Sequence, residues 1–121
     1  MDFKKILAGL WAVLILALSA LTPPSVADFR IPYIDKVAHF TMYFILTLLL
    51  YLAFKPGKDI HVGRIISIPL ISFLYGLLME FAQKKFFSGR SFEINDIVAN
   101  LTGILFAVAV FGLFRLKNYK I

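Results

Sequence analysis

The sequence contains no cysteine. A disulfide, a thiolate nucleophile and a sulfur-ligated metal are therefore excluded, and with them the enzyme classes that depend on a cysteine side chain. Acidic residues are also few, since seven Asp and Glu stand against 13 Lys and Arg, which gives a net charge of +6. The basic residues sit beside apolar segments and form no exposed arm. We therefore interpret the charge as a determinant of membrane orientation and expect no nucleic-acid partner.

Apolar residues, by contrast, are abundant. Hydrophobic residues make up 60% of the 121 positions, and 13 of them are Phe. Soluble domains contain about 45–50% apolar residues, so the composition indicates a membrane protein. Each helical crossing of a bilayer takes about 20 residues, and four crossings would use most of this chain.

Four apolar runs predict an all-α bundle of four transmembrane helices, which forms a single domain over residues 1–121. The predicted spans are approximately 6–21, 37–54, 65–87 and 96–114. Pro69 is expected in the first turns of the third span, where its missing N–H does least harm. The first run could instead be a signal peptide, because "SVA" at 25–27 resembles a cleavage site. We favour a retained span, because the other helices of so hydrophobic a chain need a lipid-facing partner.

Lys and Arg predict the orientation of the spans. With four crossings, eight of these residues lie on the side of the two termini and five lie on the other side. The positive-inside rule then places both termini in the cytoplasm. The prediction is a multi-pass protein of the bacterial cytoplasmic membrane.

Polar residues in the outer halves of the spans fall on shared helix faces. A charge at the bilayer centre costs about 2.5–3.5 kcal/mol, so we expect these groups to face inward and to pair, with Lys36 and Arg90 as the nearest cations. Glu80 lies about 9 Å inside the outer end of its helix by helical rise. Spacings of three or four residues place each of three pairs on one face: Asp35 with His39, Glu80 with Gln83, and Asp96 with Asn100.

The direction of the helices favours an anion near these groups. The second and fourth helices both run inward, so their N-terminal N–H groups open toward the same outer cavity as Lys36 and Arg90. Arg90 has the fork geometry that matches a phosphate. A phosphate or diphosphate headgroup that arrives from the outer leaflet is a physically sensible occupant.

Two stretches of the sequence resemble the VanZ-like family of small bacterial membrane proteins. They are "DKVAHFTMYFIL" at 35–46 and "YGLLMEFAQKKFFSGRSFEINDIVANLTG" at 75–103. The resemblance covers about 35–105 and rests on the motifs D-K-x-x-H-F, G-x-x-x-E-x-x-Q, G-R-S and D-x-x-x-N-x-x-G. It departs from the family at "KKFFSGR", where many relatives have a proline-bearing turn.

The resemblance implies a role in the bacterial cell envelope and in susceptibility to teicoplanin-type glycopeptides, but it supplies no reaction. Its partners would be membrane lipids, a lipid-linked cell-wall intermediate or a lipoglycopeptide. The family's polar motif residues, which we take as the ligand-binding set, fall here on Asp35, Lys36, His39, Glu80, Gln83, Arg90, Asp96 and Asn100.

Each of these groups also has a simpler interpretation. Glu80 could be a strut between helices that pairs with Arg90 or His39. Asp96 could be simply the N-cap residue of the fourth helix, as Asp35 could be that of the second. His39 and Glu80 are the candidates for acid–base catalysis. His39 could also bind zinc or manganese together with Asp35 and Glu80, although the favoured interpretation requires neither a metal nor a cofactor.

Three functions stay open at this stage. The favoured one is binding of an anionic lipid or a lipid-linked cell-wall headgroup in an outward-facing polar cavity. The second is a hydrolase or transferase that acts on a lipid phosphate or sugar, so whether the protein is an enzyme is undecided. In the third, the protein is a structural or assembly partner and the polar groups serve only packing.

Overall fold

A computed structural model of the chain describes residues 3–21, 34–54, 62–86 and 94–118. These residues form four α-helices, which we label α1 (Phe3–Leu21), α2 (Ile34–Ala53), α3 (Val62–Phe86) and α4 (Ile94–Asn118). The prediction of an all-α bundle is confirmed. Among the described residues, α2, α3 and α4 are long and apolar enough to cross a membrane, over Lys36–Ala53, Ile65–Ala82 and Ile94–Phe114.

The outer faces of the bundle are apolar. On α3, every fourth residue of one face is a large aliphatic side chain that is more than half exposed: Ile66, Leu70, Leu74 and Leu78. A soluble helix would place charged residues on such a face. This distribution matches helices whose outer surface contacts lipid.

The closest helix packing joins α2 to α4. A Cβ atom added at Gly103 would lie only 2.3 Å from the carbonyl oxygen of Phe40, so only glycine allows the two backbones to approach this closely. One turn further along α4, Ala107 is completely buried. Small residues thus bring α2 and α4 together, as is common between membrane helices.

Two apolar clusters fill the interior. The larger one takes residues from all four helices and consists of Ile15, Tyr43, Leu46, Met79 and Ile104. The second contains Tyr51, Ile68 and Phe111, and the rings of Tyr51 and Phe111 stack with their centroids 4.1 Å apart. The clusters hold the helices in register, and this fixes the position of the polar side chains at the end where α2 and α4 begin.

Pro69 lies deeper in α3 than the sequence predicted. The helix begins at Val62, so Pro69 is an interior residue and cannot donate to the carbonyl of Ile65 four residues earlier. The Tyr51 hydroxyl donates to that carbonyl oxygen at 2.8 Å. A side chain of α2 therefore satisfies the acceptor that the proline leaves without its helical donor.

Hydrogen bonds tie α1 to two other helices. The Trp11 indole N–H donates to the carbonyl oxygen of Met42 in α2 at 2.9 Å, and the Tyr75 hydroxyl of α3 donates to the carbonyl oxygen of Ala12 at 2.6 Å. Ala8 and Ile15 of α1 are buried against the bundle. The helix is therefore packed as a member of the bundle.

Candidate functional site

Lys36 and Asp96 join the first turns of α2 and α4. The Lys36 ammonium donates to Asp96 Oδ1 at 2.5 Å. The Asp96 side chain is 8% exposed and the Lys36 side chain is 26% exposed. The pair therefore brings the N-terminal ends of α2 and α4 together and leaves part of a cation accessible between them.

His39 lies one turn further into the bundle and contacts Asn100. Its Nδ1 is 3.0 Å from Asn100 Oδ1, and both side chains are buried. Because an amide oxygen can only accept a hydrogen bond, Nδ1 carries the proton of this contact. The other ring nitrogen, Nε2, is 3.6 Å from Asp96 Oδ2. Asn100 thus fixes the orientation of the imidazole and directs Nε2 toward a carboxylate.

Glu80 contributes a second carboxylate from α3. It is 1% exposed. One of its oxygens lies within 4.8 Å of a ring nitrogen of His39 and of a carboxylate oxygen of Asp96. Three helices therefore project an imidazole and two carboxylates into one buried volume. We refer to Lys36, His39, Glu80, Asp96 and Asn100 as the polar cluster.

Gly76 makes room for the polar cluster on α3. A Cβ atom at this position would lie 3.0 Å from Asn100 Nδ2 and 3.2 Å from Tyr43 Cε1. The Asn100 amide thus packs directly on the α3 backbone, beside the Tyr43 ring. The sequence contains Gly76 in the G-x-x-x-E-x-x-Q motif, but spacing alone assigned it no role.

The structure brings together the predicted residues whose side chains it describes. These are Lys36, His39, Glu80, Asp96 and Asn100, and their role in ligand binding stays a prediction. Of the two predicted cations, Lys36 pairs with Asp96. The side chains of Asp35 and Gln83 lie outside the described part of the structure, as does Arg90. The first three residues of "KKFFSGR" end α3 at Phe86, and residues 87–90 are not among those described. The predicted contact between Glu80 and Arg90 stays a prediction.

Polar residues that the sequence analysis missed continue the polar face of α2 past His39. Thr47 and Ser72 are fully buried, and the Thr47 hydroxyl lies 3.0 Å from Ser72 Oγ and donates to the Tyr43 carbonyl oxygen. Thr47 and Tyr51 follow from a spacing of four residues that starts at His39, whereas Ser72 lies on α3. That spacing could have identified Thr47 and Tyr51, but no feature of α3 pointed to Ser72.

The fold and the site define a small helical membrane protein with a buried, mixed-charge polar cluster at one end of its bundle. The chain matches the family model for VanZ/LLP1 over residues 3–115 and belongs to this family. The resemblance found in the sequence motifs is thereby confirmed, and it extends beyond 35–105 to include α1.

One relative comes from a eukaryote. An uncharacterized protein of the fission yeast Schizosaccharomyces pombe is 35% identical over 117 residues, which cover 97% of this chain and 68% of the relative. No solved structure matches the chain. The similarity to this fungal protein therefore extends over nearly the whole chain.

Proposed function

We propose that this VanZ-family protein binds the anionic headgroup of a membrane lipid in an outward-facing pocket at the polar cluster. The observation that carries the proposal is the Lys36–Asp96 contact between the first turns of α2 and α4. It brings the N-terminal N–H groups of two helices, each with a partial positive charge, to one place. A partly exposed ammonium lies between them, and phosphate oxygens suit this combination.

The proposal includes a membrane topology. Four spans, with α1 retained as the first and both termini in the cytoplasm, would place the polar cluster beneath the outer face of the cytoplasmic membrane. The excess of Lys and Arg on the side of the termini supports this orientation. The hydrogen bonds from Trp11 and Tyr75 support α1 as a lasting part of the bundle.

The headgroup is proposed to be that of an anionic phospholipid, because phosphate oxygens match an ammonium and helix N-termini. A lipid-linked cell-wall intermediate, which carries the same phosphate chemistry, is the alternative in a bacterial host. In such a host, occupancy of the pocket would change how teicoplanin-type lipoglycopeptides meet the membrane.

Native mass spectrometry of the detergent-extracted protein tests the proposal directly. We expect anionic phospholipid to co-purify with the unmodified protein and to decrease about tenfold, the equivalent of 1.4 kcal/mol, in Lys36→Gln and in Arg90→Ala. Lys5→Gln is the matched control, because Lys5 lies over the Phe54 ring at the other end of the bundle. Equal lipid content in all four proteins would refute headgroup binding at the polar cluster.

A membrane-embedded hydrolase or transferase is the second candidate. The arrangement that favours it is an imidazole oriented by Asn100 and placed next to two buried carboxylates, which is suited to proton transfer at a lipid phosphate. Incubation of the purified protein with lipid phosphates, with and without divalent metal, tests this function. Absence of any product would refute this second function.

A further inference from the structure

We propose that His39, Glu80 and Asp96 form a binding site for a divalent transition-metal ion of the zinc or manganese type. The ligands would be His39 Nε2, one oxygen of Glu80 and Asp96 Oδ2. Candidate ligand atoms of the three residues lie within 4.8 Å of one another, and all three residues are buried. This set replaces the combination of His39, Glu80 and Asp35 suggested by spacing alone.

The contact between His39 and Asn100 prepares Nε2 as a metal ligand. Because Nδ1 donates to Asn100 Oδ1, the lone pair of a neutral ring lies on Nε2. Metal-bound histidines almost always donate their other N–H to such an acceptor, which fixes the tautomer and the orientation of the ring. Asn100 thus occupies the position of a supporting residue behind a ligand.

The distance from His39 to Asp96 fits two ligands of one ion. With bonds of about 2.1 Å and tetrahedral angles, two ligand atoms are about 3.4 Å apart. The measured separation of Nε2 and Oδ2 is 3.6 Å. When the ring is neutral, its lone pair and the carboxylate oxygen that faces it repel each other, and a cation between them turns this repulsion into attraction. One oxygen of Glu80 lies within 4.8 Å of a candidate ligand atom on each of the other two residues. This exceeds the tetrahedral separation by at most about 1.4 Å, which a rotation of the Glu80 side chain would close.

The charge of the polar cluster also favours a cation. With His39 neutral, its described side chains carry two carboxylates and one ammonium, in a part of the bundle where charge is expensive. Lys36 donates to Asp96 Oδ1, whereas Oδ2 is the oxygen that faces His39 Nε2, at 3.6 Å. A divalent ion would change the net charge of the cluster from −1 to +1. Three protein ligands would also leave a coordination position open, to which a phosphate oxygen could bind.

Metal binding to chelator-treated protein in detergent micelles tests the inference, with ZnCl₂ and MnCl₂ as the probes. Isothermal titration calorimetry and elemental analysis after desalting should give about one ion per chain. His39→Gln, Glu80→Gln and Asp96→Asn should each lose binding at least about tenfold, and Asn100→Ala should weaken it about 10–100-fold without changing the stoichiometry. The controls are His61→Gln, which removes the other histidine of the chain, and Thr47→Val, which changes a buried polar contact outside the site. Both should bind like the unmodified protein.

Failure of the unmodified protein to retain either ion would overturn the inference, whatever the variants do. Binding that survives His39→Gln, or that disappears in His61→Gln, would assign the ion to another place and would also overturn it. The inference does not depend on lipid binding, because no phospholipid is added to the titration and the ion content is measured separately from the lipid content. Loss of ion binding and loss of the lipid that co-purifies are therefore separate outcomes.

Discussion

The Tyr51 hydroxyl donates a hydrogen bond of 2.8 Å to the carbonyl oxygen of Ile65, the acceptor that Pro69 leaves without its helical donor. A proline inside a membrane helix is tolerated when a neighbouring group satisfies the released carbonyl, because no water is available there. The Tyr51 ring also stacks on Phe111. Tyr51 therefore connects α2 to α3 through its hydroxyl and to α4 through its ring.

The first prediction separates the hydroxyl of Tyr51 from its ring. Tyr51→Phe keeps the stack on Phe111 and removes only the donor to Ile65, so we expect the free energy of unfolding to fall by about 0.6–2 kcal/mol. In a Pro69→Ala background, residue 69 can donate to Ile65 itself, and the same change should have much less effect. Thermal unfolding in detergent of the four proteins of this double-mutant cycle provides the measurement. Equal losses in both backgrounds would show that the hydroxyl does not compensate for the proline.

The second prediction concerns the approach of α2 to α4. Gly103→Ala would place a methyl group 2.3 Å from the Phe40 carbonyl oxygen, so the helices must separate and the Lys36–Asp96 contact must loosen. We expect a loss of about 1–3 kcal/mol in the free energy of unfolding.

Gly112 provides the matched control on the same helix. A Cβ atom there meets nothing within 4 Å. Gly112→Ala should therefore leave stability unchanged or raise it by up to about 1 kcal/mol, through helix propensity alone. Melting temperatures that fall equally in both variants would contradict a specific role for Gly103.

Sequence patterns predicted the helices and much of the polar cluster for clear physical reasons. Apolar runs of about 20 residues ending at proline or charged residues define membrane helices. Spacings of three and four residues place His39, Glu80 and Asn100 on the inner faces of their helices. The avoidance of lipid by charged groups then predicts that these faces meet.

Contacts between particular partners could not be predicted in the same way. Helix rotation and relative height decide that Lys36 pairs with Asp96, and a single helix contains no information about either. The buried contact of Thr47 with Ser72 escaped prediction because hydroxyl groups hardly change the hydropathy of an apolar run. The predicted depth of Pro69 was wrong because α3 begins at Val62, before the apolar run. Its first turn is more polar, and hydropathy does not mark it as helix.

The third prediction tests the proposed topology and uses the absence of cysteine from the chain. Single substitutions Ser88→Cys and Lys58→Cys introduce a reactive thiol into the predicted outer and inner loops. A maleimide that cannot cross membranes should label Ser88→Cys in intact cells, and it should label Lys58→Cys only after the membrane is opened. The unmodified protein, which has no thiol, is the control for background labelling. The reverse pattern would place the polar cluster at the cytoplasmic face.

The fourth prediction concerns the stability of Glu80→Gln with and without a metal ion. In chelator-treated protein, the amide should remove the repulsion between two neighbouring carboxylates, so this variant should melt at or above the temperature of the unmodified protein. Addition of ZnCl₂ at about 100 times its dissociation constant should stabilise the unmodified protein by about 2.7 kcal/mol. It should stabilise Glu80→Gln, which binds at least about tenfold more weakly, by at most about 1.4 kcal/mol. The order of the two melting temperatures should therefore reverse.

Thr47→Val is the control for this reversal, since it should respond to the ion as the unmodified protein does. A reversal means that the Glu80 carboxylate lowers the stability of the ion-free protein and is needed to bind the ion. Such a trade between stability and function is common for functional groups. If Glu80→Gln instead melts well below the unmodified protein without the ion, the carboxylate mainly holds the helices together. In that case the polar cluster would serve only to pack the helices of a structural or assembly partner. Neutralising a buried carboxylate that pairs with a cation leaves that cation uncompensated, and this destabilises the fold.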